Sequence, residues 1–149
     1  MITAVDTSVL LDVFGADAEF GPRSAAALRK CLAEGGLIAC EVVWAEAAAS
    51  FAADGAAEKA LNGLRVGFSA TDDSIALAVG RAWRAYRKAG GTRERVVADF
   101  LIGAHALARA DRLLTRDRGF YRSYFAGLPI IDPRDEPERP SSSASVPEI

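Results

Sequence analysis

Short apolar runs alternate along this chain with longer stretches in which apolar residues recur every three or four positions. Residues 2–5 are apolar and stop at Asp6, the pattern of a buried strand. Residues 7–14 then read as a short helix that starts where the strand ends, and residues 15–21 as a loop. Helical spacing through Ala26, Leu28 and Leu32 predicts a helix over 23–34, stopped by Gly35 and Gly36. A second strand is expected over 37–40. An alanine-rich helix is expected over 41–53, broken at Gly55, with a further helical piece to about 63. A third strand falls at 64–68. Thr71, Asp72 and Asp73 predict a cap for a helix over 74–89, with Ile75, Leu77, Val79, Trp83 and Tyr86 on its apolar face. Residues 93–98 read as a connection, 99–110 as a helix, 112–115 as a fourth strand, 119–124 as a turn or short helix, and 128–131 as a fifth strand.

Strands alternating with helices imply an α/β domain around a mainly parallel, five-stranded sheet. From Pro133 the composition shifts to Pro, Glu, Ser and Arg. The chain therefore divides into a folded domain over 1–132 and a polar tail over 133–149 that is expected to be disordered.

Four acids stand in tight, mostly apolar settings far apart in the chain: Asp6, Glu46, Asp99 and Asp117. In open parallel sheets the ligand site lies beyond the carboxyl ends of the strands. Asp6 and Asp117 sit at or just past two such ends, Glu46 lies about one and a half turns into a helix that follows a third, and Asp99 is in the first turn of a helix. All four can reach one end of the sheet. A buried charge without a partner is costly, and Mg²⁺ or Mn²⁺ prefers oxygen ligands. Carboxylates around such a cation fit metal-dependent hydrolysis, with phosphodiester chemistry leading. Thr7, Ser8 and Thr115 are placed to support the carboxylates, and Arg116, Arg118 and Arg122 to hold flanking phosphates. Asp12 is expected to face solvent, and His105 to have a surface or partly buried role rather than a catalytic one. Trp83 and Tyr86 are expected to pack in the core rather than stack on bases.

The bulk numbers bound this reading without changing it. A chain of 149 residues, half of them hydrophobic, suits one domain with a real core. One histidine and two unpaired cysteines, Cys31 and Cys40, do not make a zinc site and fit free thiols in a reducing cytoplasm. No apolar run has membrane-spanning length, and the start carries neither a basic region nor a cleavage signal, so a cytoplasmic protein is expected. The net charge of −2 argues against nucleic acid until its distribution is considered. Between Arg81 and Arg122 eleven basic residues stand against four acidic ones, a local net of +7.

Three segments together resemble the PIN-domain family, specifically the VapC-type toxins of toxin–antitoxin pairs. They are Val5-Asp6-Thr7-Ser8-Val9-Leu10-Leu11, the helix from Ala98-Asp99-Phe100 to Ala106-Leu107, and Leu113-Leu114-Thr115-Arg116-Asp117-Arg118-Gly119-Phe120. Glu46 falls where the family has its second acid. The resemblance implies a three-layer α/β/α sandwich and Mg²⁺- or Mn²⁺-dependent cleavage of single-stranded RNA. It places the metal-site role on Asp6, Glu46, Asp99 and Asp117, and a supporting role on Thr115. It further implies a homodimer and a cognate antitoxin protein. Two other classes compete. An aspartyl phosphotransferase would want a second Asp two residues after Asp6, where Ser8 stands. A non-catalytic RNA-binding or adaptor domain would bind RNA without metal or acids.

Overall fold

The computed structural model describes residues 1–92 and 96–135. Five strands, β1 (Ile2–Val5), β2 (Gly36–Ala39), β3 (Val66–Phe68), β4 (Arg112–Leu114) and β5 (Ile130–Ile131), form one sheet in the order β3-β2-β1-β4-β5. Every pairing is parallel. Parallel strands need crossovers, and seven helices among the described residues supply them. These are α1 (Thr7–Phe14), α2 (Gly21–Ala33), α3 (Glu41–Ala48), α4 (Asp54–Gly63), α5 (Asp73–Lys88), α6 (Val97–Arg109) and α7 (Arg118–Tyr124).

The central position of β1 explains its composition. Thr3, Ala4 and Val5 are buried, and a strand covered on both faces cannot alternate with polar residues. Around it Val9, Leu10, Val43, Phe100, Leu113, Leu114 and Tyr121 are fully enclosed. On one side α6 and α7 meet through a ring cluster of Tyr86, Phe100, Phe120, Tyr121, Tyr124 and Phe125. The approach there is close enough that a Cβ on Gly103 would lie 2.4 Å from the Phe125 ring.

The expected fold holds, with shifted ends. The third helix stops at Ala48, and turns follow before α4 starts at Asp54, so Gly55 opens a helix instead of breaking one. Gly21 and Pro22 begin α2, because Pro is well suited to a first helical turn. α6 starts at Val97, two residues before Asp99. The connection expected over 93–98 lies partly outside the described residues. Pro133–Asp135, assigned above to the tail, forms a 3₁₀ turn packed on α2. The remainder of that tail lies outside the described residues.

Candidate active site

Asp6 directly continues the central strand: its N–H donates to Leu114 O at 2.9 Å. It is also the N-cap of α1, accepting the Thr7 N–H on Oδ1 at 2.7 Å. Parallel register pairs Val5 with Leu114, which brings Thr115 beside Asp6, and the Thr115 hydroxyl donates to Asp6 Oδ2 at 2.6 Å. Two threonines extend this contact to both sides. Thr7 Oγ1 donates to Glu46 Oε1 at 2.9 Å, and Thr115 Oγ1 accepts the Asp117 N–H at 3.0 Å. A continuous hydrogen-bonded chain thus runs Glu46–Thr7–Asp6–Thr115–Asp117 across the carboxyl end of the sheet. Asp99, in the first turn of α6, lies near enough for its charge to act on Asp6.

The acids grade from floor to rim. Asp6 is buried, Asp99 half-buried, and Glu46 and Asp117 exposed. Burial pushes the Asp6 pKa up, Thr115 and the Thr7 amide resist, and Asp99 and Glu46 push it further, to about 6. Tyr121, four residues beyond Asp117, places its hydroxyl 3.4 Å from Asp6 Oδ2. Burial and the charges of Asp6, Asp99 and Asp117 raise its pKa far above the usual phenol range, so it stays a neutral donor. Sequence reasoning passed over Tyr121. The available signal was its i, i+4 spacing from Asp117 on a short helix.

Other expected residues have different places. Ser8 Oγ is buried with no hydrogen-bond partner among the described residues. Arg116 turns inward onto Asp12 instead of outward. Arg118 lies 3.6 Å from Asp132 and 3.4 Å from Asp135, and Arg122 is exposed on α7. Two expectations are corrected. Asp12 is buried, because Arg116 and the Ser24 hydroxyl satisfy its carboxylate. His105 is buried as well, with Nε2 at 2.9 Å from Ser69 Oγ. Trp83 is half-buried under Arg87, and Tyr86 is buried in the ring cluster, as expected.

A family model, the PIN domain, matches residues 3–126. The chain belongs to the PIN domain family. Among solved structures, a chain of VapBC2 from Rickettsia felis bound to a promoter DNA fragment is 17% identical at a TM-score of 0.68, covering 89% of this chain and 98% of that one. VapBC-1 from nontypeable Haemophilus influenzae is 19% identical at 0.68, covering 91% and 100%. A toxin–antitoxin complex from Klebsiella pneumoniae is 22% identical at 0.61, covering 88% and 97%. Curated protein sequences return no match.

The donor set of this PIN domain is all oxygen and suits a hard divalent cation. Burial first, and then the neighbouring carboxylates of Asp99 and Glu46, raise the Asp6 pKa against its neutral hydrogen-bond donors, so an added positive charge would favour the ionised form. Among the described residues no three acids close to metal-holding distances. Repulsion between carboxylates opposes such closure until a cation offsets it.

Proposed function

We propose that this PIN domain is a divalent-metal-dependent endoribonuclease and the toxin of a VapBC-type toxin–antitoxin pair. The hydrogen-bonded chain from Glu46 through Asp6 to Asp117 carries the reading, because it gathers the acids of distant segments at one strand-end site. Asp6, Glu46, Asp99 and Asp117 would hold Mg²⁺ or Mn²⁺. The ion would supply charge stabilisation at the phosphodiester and a lower pKa for the attacking water. The protein's own part is orientation. Thr7 and Thr115 fix the rotamers of Glu46 and Asp6, and the Tyr121 hydroxyl stays protonated beside Asp6. Arg118, which also contacts Asp132 and Asp135, and the exposed Arg122 lie on α7 just after Asp117 and would meet the substrate phosphates. The similarity to VapBC structures supports a cognate antitoxin partner. A homodimer and a cytoplasmic location belong to the same reading.

The competing reading is a non-catalytic RNA-binding module. Cleavage of total cellular RNA separates the two. Discrete products are expected with Mn²⁺ or Mg²⁺, none with EDTA, and none from Asp99→Asn. Folded, partner-free wild type that binds RNA but leaves it intact with either ion would overturn the nuclease reading.

A further inference from the structure

Arg116 lies between Thr115 and Asp117, yet its guanidinium points away from the open rim. Nε donates to Asp12 Oδ2 at 2.7 Å and Nη2 to Asp12 Oδ1 at 2.9 Å, a two-armed fork. The guanidinium carbon also lies 4.2 Å from the Phe20 ring centroid. Asp12 is buried on α1, and it takes a third hydrogen bond from Ser24 Oγ on α2 at 2.7 Å. From the other side, Arg134 Nη2 donates to the Arg116 carbonyl at 3.0 Å, and Arg134 is itself held by the buried Asp132 at 2.6 Å. The Thr115 N–H is fixed to Ile131 O at 3.0 Å. The segment carrying Thr115 and Asp117 is therefore held at each step, and its middle residue is bolted through Asp12 to α1, which Asp6 caps, and through Ser24 to α2, which bears none of the four acids.

We propose that Asp12 and Arg116 are positioning residues, which act through the backbone of residues 115–117 to set Thr115 against Asp6 and Asp117 at the rim. This rests on the nuclease reading above for its consequence, not for its geometry. It removes Arg116 from the RNA-contacting residues. Arg and Lys differ here, because only the planar fork makes both bonds to one carboxylate.

A merely structural ion pair and a positioning pair make different predictions for an apolar replacement. Exchanging a buried charged cluster for packed apolar residues is often neutral for stability, whereas removing one partner leaves an uncompensated charge. The test variant is thus Asp12→Leu/Ser24→Ala/Arg116→Met, compared with wild type and with Arg116→Lys. Three readouts are used: thermal midpoint, kcat and KM for RNA cleavage, and hydrogen exchange of the Asp117 amide in metal-free protein. For the triple variant we expect a near-wild-type midpoint, Asp117 exchange at least about tenfold faster, and kcat lower by about 10- to 100-fold with little change in KM. Arg116→Lys should move exchange and kcat part of the way, and it decides the matter should the triple variant not fold. Wild-type exchange and kcat in the folded triple variant, or in Arg116→Lys, would overturn the proposal. A higher KM at unchanged kcat would also overturn it, by returning Arg116 to the substrate. If wild type cleaves no RNA, the nuclease reading fails by itself, and Asp117 exchange still decides the positioning role.

Discussion

Asp6 concentrates the conflict at the residue scale. The same carboxylate ends a buried strand, caps a helix and sits within reach of two other acids. With a folded pKa of about 6 against 3.8, the native state binds the Asp6 proton more tightly than the unfolded chain does. The stability so contributed is complete below pH about 3.8 and is lost as pH rises through about 6. The difference is about 3 kcal/mol at neutral pH in metal-free protein. Asp6→Asn should therefore raise the urea midpoint of metal-free protein at pH 7.5, by part of that amount, since the hydrogen bonds from Thr7 and Thr115 weaken when the charge is lost. Mn²⁺ should stabilise wild type and not the variant. A variant less stable than wild type at pH 7.5, without metal, would refute the electrostatic account. The burial of Asp6 at a strand end was legible in the sequence, because it directly follows an apolar run. Asp12 and His105 were misjudged for one shared reason. Burial of a polar side chain depends on partners far along the chain, here Arg116 and Ser69, and local pattern does not contain them.

At the scale of elements, the alternation of short apolar runs with helical periodicity was enough to order every strand and helix that frames the site. Boundaries were less legible. Ala49 to Ala53 has helical composition, but its chain leaves the helix, and Asp54 starts a new one. Alanine propensity is a weak prior against tertiary packing. Nor did pattern indicate why α6 holds Asp99 where it does. That placement depends on Gly103, which lets the helix approach the Phe125 ring. Gly103→Ala puts a methyl group where ring carbons now stand. Despite a better intrinsic helix propensity, it should destabilise the fold by about 1–3 kcal/mol and lower cleavage through displacement of Asp99. Adding Phe125→Leu should recover much of the loss, which a double-mutant cycle of denaturation midpoints and kcat would measure. Strict additivity of the two changes would mean that the contact does not position α6.

Over the whole molecule, charge is divided rather than balanced. A net −2 would repel RNA at a distance. Residues 81–122 carry a net +7 in sequence, but Arg109, Arg112, Arg116 and Arg118 pair with Asp72, Glu34, Asp12 and Asp132, so only the other basic residues can lend a local positive field. Which arginines use that field is a structural question, because identical residues at neighbouring positions have different duties. Arg116 is neutralised by Asp12, and Arg118 lies near Asp132 and Asp135. Arg122 is exposed on α7, within one turn of the Tyr121 that faces the acids. Each phosphate neutralised on single-stranded nucleic acid contributes about 0.7 to the slope of log affinity against log salt. Arg122→Gln should therefore weaken RNA binding at low salt and flatten that slope by about this amount, measured with catalytically inert Asp99→Asn as the background. Arg116→Met in the same background should leave the slope unchanged, since its charge is already paired within the protein. Equal flattening by both changes would mean that RNA draws Arg116 away from Asp12 on binding, and the division of labour between the two arginines would have to be given up.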